Sequence, residues 1–473
     1  MDKSPLFERA IAAFSPGWAA SRARSVAFLQ AHQLQQDYLR SYEAASRKKR
    51  MDGWHSPSTS ANGETEMDLG TIRDRHRELV RNDPNSSRAV GVLEANIGFL
   101  TPEFSGTNSE LAKTLWKEWA GSTACDADGQ HDFDGMQSMA MRATVESGEV
   151  LGRRRHRRLD DGLPVPFQVQ LVEIDFLDST AGFSSKDNII QGVEFDQLGR
   201  RRRYHLFKNH PGDPGSNTLR SIPVDASDIA HVYRQDRPGQ VRGVPWGAPV
   251  MVRLKGFAEY EDAQLMRQKI AACFCVFLTD PTGTPLDART GVTETISPGL
   301  VKRVGPGEGV EFATPPRVDG YSEYAVEQKH AIAAGYGIPY SAMTGDLRRV
   351  NFSSGKLGEV NFMRNISIWQ RRILQQKFCC RVWDWFQQAS KLMGHNLDDV
   401  TVTWTPPRRA LIDPPREIPA MLKAVAGGLT PLSEFHRGVH GRSSSEVVEE
   451  IKNLNVALLE AGLPGLVVGK AAM

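Results

Sequence analysis

The chain of 473 residues carries, at positions 333–359, the stretch AAGYGIPYSAMTGDLRRVNFSSGKLGE. A helical pattern over 321–335 precedes the polar part of this stretch, and a second helical pattern over 359–393 follows it. The glycines and polar residues between them predict a loop over 341–360. Its cationic, amide and hydroxyl side chains suit contact with phosphate groups. These side chains are Arg348, Arg349, Asn351, Ser353, Ser354 and Lys356.

The segment that precedes these helices has an unusual order of elements. Residues 248–278 have a helical pattern whose apolar stripe consists of Met266, Ile270, Cys273, Phe274 and Phe277. Residues 279–318 are rich in Pro, Gly and Thr and contain a strand-like run at 309–312. The sequence therefore predicts a helix, a small excursion containing β-strands and a returning helix before the loop.

The N-terminal half of the chain predicts a mixed body of helices and strands. Apolar residues recur with helical spacing over 69–100, where Asp83 and Pro84 break the pattern and begin a new helix. Two more helices are expected at 111–119 and 133–149. Short runs rich in β-forming residues predict several antiparallel strands with basic outer faces over 150–235. The predicted fold class is α+β.

The two ends of the chain are predicted to be helical. Residues 1–50 have a helical, basic composition that ends in Arg47–Arg50, and the Gly, Pro and Ser of 51–66 indicate a linker after this arm. At the other end, helices are expected at 418–426, 432–436 and 445–460.

Composition excludes several classes of protein. With 40% hydrophobic and 24% charged residues, wholesale disorder and fibrous repeats are excluded. The net charge of +2 is too small for a surface that grips nucleic acid everywhere. The longest apolar run, Ile270–Leu278, is nine residues, so no membrane contact is expected. Five cysteines without a CxxC pair are typical of a reducing compartment.

Most catalytic motifs are missing from the sequence. It has no phosphate-binding loop, HExxH or GxSxG, so we expect no catalytic residue, no cofactor and no metal. The acidic cluster Asp126–Asp134 is the exception, and it leaves a metal-dependent nuclease as the alternative function. Its spacing does not fit a calcium loop, which favours a solvated turn whose aspartates cap a helix. His436 and His440 have chelating spacing, but nearby glycines favour a surface loop.

Two arginine-rich runs, 153–158 and 200–203, fall in the predicted strand region. Alternate residues of a strand face opposite sides, so each run would present two or three arginines outward. A solvated face or a contact between subunits is favoured over nucleic-acid binding for these runs.

Several separated motifs make the chain similar to the lambda-type portal proteins of tailed bacteriophages. They are Trp116-x-x-Trp119 with Cys125-Asp126 and Gly148–Leu151; Ser297-Pro298-Gly299 with Gly305–Glu308 and Pro315-Pro316; Ala333–Tyr340 with Thr344–Asp346 and Asn351–Ser354; and Trp404-x-Pro406 with Ile412–Pro414 and Gly428–Thr430. The combination covers residues 65–465 and is specific, whereas each motif alone is not. Lys356 departs from the family pattern, in which Arg follows the two serines.

The resemblance implies a structural, non-enzymatic protein. A portal is a ring of twelve copies at one capsid vertex of the virion, assembled in the host cytoplasm. It conducts double-stranded DNA during packaging and ejection and holds that DNA weakly and without sequence specificity. Its partners are the terminase large subunit, the head–tail connector, and the major capsid and scaffolding proteins.

The resemblance also assigns a role to each segment. Residues 1–60 become an N-terminal arm, 61–249 the wing, 250–278 a descending stem helix, 279–318 the clip, 319–340 an ascending stem helix, 341–360 the tunnel loop, 361–397 a long wing helix and 398–473 the helical crown. The loop cations then face DNA. A repelling channel wall is expected from Glu259, Glu261, Asp262, Glu323 and Glu327.

Overall fold

A computed structural model describes residues 15–39, 56–181, 188–214, 220–272, 276–279, 309–312, 320–348, 350–407, 411, 413–440 and 444–464. The chain divides into two units, residues 1–60 and 61–473. In the first unit, helix α1 runs over Pro16–Leu39, within the helical arm that the sequence predicts.

The second unit is a mixture of helices and short strands, which confirms the α+β prediction. Its helices are α2 (Ala61–Thr65), α3 (Leu69–Asn82), α4 (Pro84–Ile97), α5 (Ser109–Ala120), α6 (Phe133–Ser147), α7 (Met251–Ala272), α8 (Tyr321–Tyr336), α9 (Tyr340–Thr344), α10 (Phe352–Trp369), α11 (Cys380–Leu392), α12 (Pro414–Ala426), α13 (Leu432–His440) and α14 (Ser444–Glu460). Wide π-helical turns over Gln370–Cys379 join α10 to α11. Among the described residues, no helix is long and apolar enough to cross a lipid bilayer.

The strands are β1 (Thr101–Ser105), β2 (Glu149–His156), β3 (Phe167–Glu173), β4 (Ile189–Ile190), β5 (Val193–Phe195), β6 (Arg201–Leu206), β7 (Ile222–Asp225), β8 (Ile229–Tyr233), β9 (Val276–Thr279), β10 (Gly309–Phe312) and β11 (Thr401–Thr405). They form a three-stranded sheet in the order β3-β2-β8, a four-stranded sheet in the order β4-β5-β6-β7, and the pairs β1-β11 and β9-β10. Every ladder between these strands is antiparallel.

The predicted break between α3 and α4 is confirmed at Asp83. The side chain of Asp83 accepts a hydrogen bond from the Ser86 backbone N–H at 2.7 Å, and Pro84 occupies the first helical position. Pro lacks the N–H that a helix start leaves unpaired, and a capping carboxylate satisfies another such donor. The local sequence therefore fixes where α4 begins.

Aromatic side chains from distant segments meet in the main core. Trp119 of α5 stacks on Phe167 of β3 at 4.6 Å between ring centroids, and its indole N–H donates to the Phe167 carbonyl. Trp116 meets Phe386 of α11 at 5.0 Å, and Phe133 stacks on Phe378. Rings of this size dominate the burial of apolar surface, so they attach α11 to the N-terminal helices.

A buried cluster of charges lies beside this core. Glu149, the first residue of β2, has no exposed side-chain surface and contacts Arg73 of α3, Arg242 and His231 of β8. The Arg242 guanidinium lies 2.8 Å from one carboxylate oxygen, and the Gly243 backbone N–H donates to the other at the same distance. Glu149 therefore connects three separate segments of the chain, namely α3, β8 and the segment that contains Arg242.

His231 occupies the cluster in its neutral form. Its Nδ1 lies 2.7 Å from Nη1 of Arg201, which only donates, so this nitrogen is the acceptor. Its Nε2–H then donates to Glu149 at 2.9 Å. Burial lowers the pKa of His231 to about 4, against a smaller raising effect of Glu149. Geometry and pKa agree on an uncharged imidazole at neutral pH.

The prediction that one helix reaches residue 278 was wrong. This helix ends at Ala272, and Phe277 lies in β9, where it is paired with Glu311. A short apolar run cannot by itself distinguish strand from helix, and here a partner strand more than thirty residues away decides. Of the stripe predicted for this helix, Met266 is exposed, and Cys273 and Phe274 fall outside the described residues.

The prediction of antiparallel strands over 150–235 is confirmed, but not all arginine side chains of these strands face outward. In β2, Arg154 is buried and packs over the Phe167 ring, while Arg153 and Arg155 face the other side of the sheet. The β1–β11 pair was not predicted at all, since its paired residues lie about 300 positions apart in the chain.

Candidate functional site

The predicted loop between two helices is present but shorter than expected. Helix α9 occupies Tyr340–Thr344 and α10 begins at Phe352, so the stretch between them is 345–351, which we name the α9–α10 loop. The Asn351 side chain accepts from the Ser354 N–H at 2.8 Å, and the Ser354 hydroxyl accepts from the Asn351 N–H. This reciprocal capping box starts the helix early. The prediction of a loop over 341–360 was therefore wrong at both ends.

Arg348 is the exposed cation of the α9–α10 loop. Its side chain is 86% exposed, and its guanidinium contacts both carboxylate oxygens of Asp346, at 2.9 and 2.8 Å. Hydrogen bonds from the Arg348 side chain and backbone hold the pKa of Asp346 well below its ordinary value. The pair orients Arg348 and partly neutralises it. Arg349 falls outside the described residues.

Lys356 does not share the exposed position of Arg348. It is the fifth residue of α10, and its ammonium is 2.6 Å from the Glu417 carboxylate in the first turn of α12. The sequence grouped Lys356 with the loop cations because α10 was predicted to begin after it. Ser353 and Ser354 are exposed in the first turn of α10. The structure thus separates Lys356 from the loop and ties it to the C-terminal helices.

A cleft of about 960 Å³ opens beside the α9–α10 loop. Its lining combines the exposed apolar side chains Leu347, Val350 and Phe352 with the Lys356–Glu417 pair. Pro406 and Pro407 also line the cleft. The surface around the loop is both apolar and charged, which suits contact with other molecules.

The predicted acidic residues lie on two helices that pack together. Tyr260 of α7 contacts Tyr321 and Tyr324 of α8, with ring centroids 6.1 and 4.7 Å apart. The exposed acidic side chains of this helix pair are Glu259, Asp262, Glu323 and Glu327. Glu261 is half-buried instead and accepts a hydrogen bond from the Tyr321 hydroxyl. Basic side chains lie on the same helices, among them the exposed Arg253, Lys255 and Lys269. Lys255 lies 3.8 Å from the Glu259 carboxylate, so the surface of the helix pair carries charges of both signs.

The Asp126–Asp134 cluster forms a turn, as the favoured interpretation predicted. The buried Asp126 carboxylate accepts backbone N–H groups of Asp128, Gln130 and His131, and Asp132 caps α6. Burial, with help from Asp132, raises the pKa of Asp134 to about 6. Within the described ranges these carboxylates do not gather their oxygens as metal ligands would. Nothing in this geometry favours the nuclease alternative.

Another group of potential ligands was missed by the sequence analysis. Glu173, Asp175 and His210 bring one ligand atom each within 4.8 Å of one another. The Asp175 carboxylate already receives Arg77 at 2.6 Å and Arg73 at 3.3 Å. Two guanidinium groups occupy the position that a cation would need, so the group is an ion-pair network.

Sequence patterns also missed the partners of the site cations. Asp346 lies in the predicted loop two residues before Arg348, and this short spacing was a sequence signal that the two side chains could pair. No sequence signal indicated the pairing of Lys356 with Glu417, because Glu417 lies 61 residues later and contacts Lys356 only through the packing of α12.

The matching family model and two relatives name the same kind of protein. Residues 47–370 match the family model described as phage portal protein, lambda family. The probable portal protein of Halomonas phage phiHAP-1 is 24% identical, with 90% of this chain and 88% of the relative covered. The portal protein of Escherichia phage N15 is 20% identical over 71% of this chain and 72% of its own length. Among solved structures, the chain is similar to one from the neck of a native gene transfer agent particle, with a TM-score of 0.47, 12% identity, and 85% and 94% of the two chains covered.

Proposed function

Because this chain belongs to the lambda family of phage portal proteins, we propose that twelve copies of it close a ring around a passage for double-stranded DNA. The ring sits at one vertex of the phage capsid and conducts DNA inward during packaging and outward during ejection. The observation that carries the proposal is the family match over 47–370, which includes α7, α8 and the α9–α10 loop. A heterologous interface closes such a ring when its rotation completes a circle.

In this proposal the α9–α10 loop faces the DNA. Arg348 supports the assignment, because an exposed guanidinium held on a short loop can reach a phosphate. Arg349, Asn351 and Ser353 follow in sequence and add donors, whereas the Ser354 hydroxyl is hydrogen-bonded to the backbone of Asn351. Each phosphate contact strengthens DNA binding and increases its salt dependence, so a small number of cations per copy keeps DNA binding weak. The contact of Arg348 with Asp346 weakens DNA binding further.

Helices α7 and α8 form the wall of the passage in this proposal. The exposed carboxylates of Asp262, Glu323 and Glu327 repel phosphate and weaken adhesion of the DNA, whereas Glu259 contributes less because it is paired with Lys255 at 3.8 Å. Glu261 contributes less because it is half-buried. The near-zero net charge of +2 agrees with a channel that must release what it admits.

The remaining segments receive roles that go with this function. Residues 61–249 form the wing, α7 and α8 the stem, 279–318 the clip, 361–397 the long wing helix and 398–473 the crown. The clip docks the terminase large subunit and later the head–tail connector. The arm over 1–60 meets scaffolding or major capsid protein during assembly in the host cytoplasm. The protein itself catalyses nothing.

Ring closure is the first test. We expect purified chain of 52.4 kDa to give particles of about 630 kDa by light scattering, with a central hole in negative-stain images. A stable monomer at high protein concentration would contradict the proposal.

The second test reverses the charge of the loop. The double variant R348E/R349E should form rings as the wild type does, since the Arg348 side chain is exposed. DNA-filled heads should fall by about tenfold, because carboxylates then face the phosphates in every copy. Quantitative PCR of nuclease-protected DNA measures the yield.

The matched control for this test is R371E/R372E. It reverses two adjacent exposed arginines that lie in the π-helical turns and not in the loop. Lys356 is left unchanged because K356E would place two carboxylates together at Glu417. A normal DNA yield from R348E/R349E would reject the role of the loop and leave ring closure untouched.

A further inference from the structure

A second concave surface lies in the strand region, away from the α9–α10 loop. One wall is the face of the three-stranded sheet that carries Arg153, Arg155 and Gln170. The other wall is built by β7 and by the residues that follow β6. The enclosed cleft has a volume of about 400 Å³, and we name it the cationic cleft.

In the part of the chain that the structure describes, the charged residues that line the cleft are cations. They are Arg153, Arg155 and Lys208, and no described Asp or Glu lines it. Among the described residues, none of the three cations forms an ion pair, whereas the neighbouring Arg157 is hydrogen-bonded to Gln168. Asp228 acts on Arg153 through space but is hydrogen-bonded to His156. Burial and the charge of Arg155 lower the pKa of Arg153, so an anion placed here would stabilise both guanidinium groups.

The strand register explains why the arginines converge. Arg153 lies opposite Gln170 and Arg155 opposite Gln168, so these side chains share one face. Arg154 faces the other way, contacting Gln388 and Phe167. The run of three arginines therefore places one in the core and two in the cleft.

The rest of the lining is apolar and amide. Val172, Phe176, Leu206 and Phe207 line the cleft, with Ile222 and Val224 on one face of β7. The Ile222 side chain is 54% exposed, and β7 is the edge strand of its described sheet. Phosphate contacts of nucleic acid need no apolar wall, whereas an extended peptide uses apolar pockets, polar partners and a sheet edge together.

We propose that the cationic cleft binds an extended segment of another protein that carries carboxylates and apolar side chains in alternation. The carboxylates contact Arg153, Arg155 and Lys208, and the apolar side chains pack against Ile222 and Val224. This inference goes beyond DNA passage and does not depend on it. It assigns the three-stranded sheet as a docking surface for an acidic partner.

The probe is a labelled synthetic peptide of about ten residues in which Glu and Leu alternate, the length of one strand. We expect full-length protein, as monomer and as ring, to bind it in fluorescence anisotropy, and the matched Gln–Leu peptide to bind at least about tenfold more weakly. The double variant R153Q/R155Q should weaken binding of the acidic peptide by about tenfold or more. R200Q/R202Q, which removes the same charge outside the cleft, should leave it unchanged.

K208E serves as a second variant, because its exposed side chain can be replaced without disturbing a core. It should also weaken the acidic peptide, and unchanged melting temperatures establish that the variants fold. Equal binding of the Glu and Gln peptides, or full affinity in R153Q/R155Q, would overturn the proposal. So would a duplex DNA probe whose binding the variants abolish. Binding by the monomer but not the ring would assign the cleft to a neighbouring copy instead.

Discussion

Replacing Glu149 by Ala is expected to lower the free energy of unfolding by about 3–5 kcal/mol. The carboxylate is the shared partner of Arg73, Arg242 and His231, and no part of it reaches solvent. Arg73 keeps Asp175 in the variant, but Arg242 retains only the Gln191 carbonyl among the contacts seen. A buried guanidinium without a counter-charge is the costly species, because neither water nor deprotonation relieves it.

Thermal unfolding followed by circular dichroism measures the change, together with resistance to limited proteolysis. The matched control is E173A, which removes a carboxylate whose side chain is 61% exposed, from the adjacent strand. That variant should change stability by less than about 1 kcal/mol. If E149A and E173A melted alike, the buried cluster would contribute no more than a surface ion pair.

The elements that the sequence predicts well are those defined by their own residues. Asp83 supplies the cap of α4 and Pro84 its first residue, so two adjacent residues determine where this helix begins. The strand at 309–312 was also recognised from its β-forming residues, although its partner was not. Local chemistry determines such features, so no knowledge of distant contacts is needed.

The features that escaped prediction depend on residues far apart in the chain. Val276–Thr279 is apolar enough for a helix, and only pairing with β10 makes it a strand. Likewise, the capping box at Asn351 moves the start of α10 so that Lys356 leaves the loop and meets Glu417. A pattern of cations indicates contact with anions but does not identify which cations already have an acidic neighbour.

The same reasoning applies to the arginine-rich run of β2. Alternation predicts that consecutive residues face opposite sides, and it correctly separates Arg154 from Arg153 and Arg155. Which of the two sides faces the core depends on Phe167 of β3 and Gln388 of α11, both of which contact Arg154. The solvated or subunit-contact role expected for this run stays a prediction, and the cationic cleft sharpens it into a test.

The titration of His231 by itself should lower stability by about 3 kcal/mol as the pH drops from about 7.5 to 4. The pKa of His231 is lowered from 6.5 to about 4 in the folded protein because burial disfavours the imidazolium. Between these two values the unfolded chain binds a proton that the folded chain does not, so stability decreases as pH falls through this window. Protonation of Nδ1 would also remove the acceptor for Arg201.

Every charged neighbour of His231 enters this expectation. Arg201 and Arg242 disfavour its protonation, whereas Glu149 favours it, and the Tyr204 and Tyr233 rings complete the surroundings. Although burial alone would raise it, the pKa of Glu149 is lowered by the charge of Arg242 and the hydrogen bond from His231. Glu149 therefore adds a further loss of stability only below about pH 4.5, its ordinary range. Above that pH, His76, whose pKa burial lowers, adds to the loss caused by His231, whereas Asp134, whose pKa is raised to about 6, opposes it. The contribution of His231 is therefore the difference between the wild type and a variant that lacks this histidine.

Melting temperatures measured at constant ionic strength near pH 7.5, 6 and 5 resolve the two contributions. The H231Q variant removes the titrating group but keeps an amide that donates to Glu149 and accepts from Arg201. Its melting temperature should fall less on acidification from about pH 7.5 to 5 than that of the wild type, even if it is lower throughout. H156Q is the matched control, since His156 has a side chain 60% exposed and lies on β2. A wild-type slope in H231Q, or its loss in H156Q, would mean that another group carries the pH dependence.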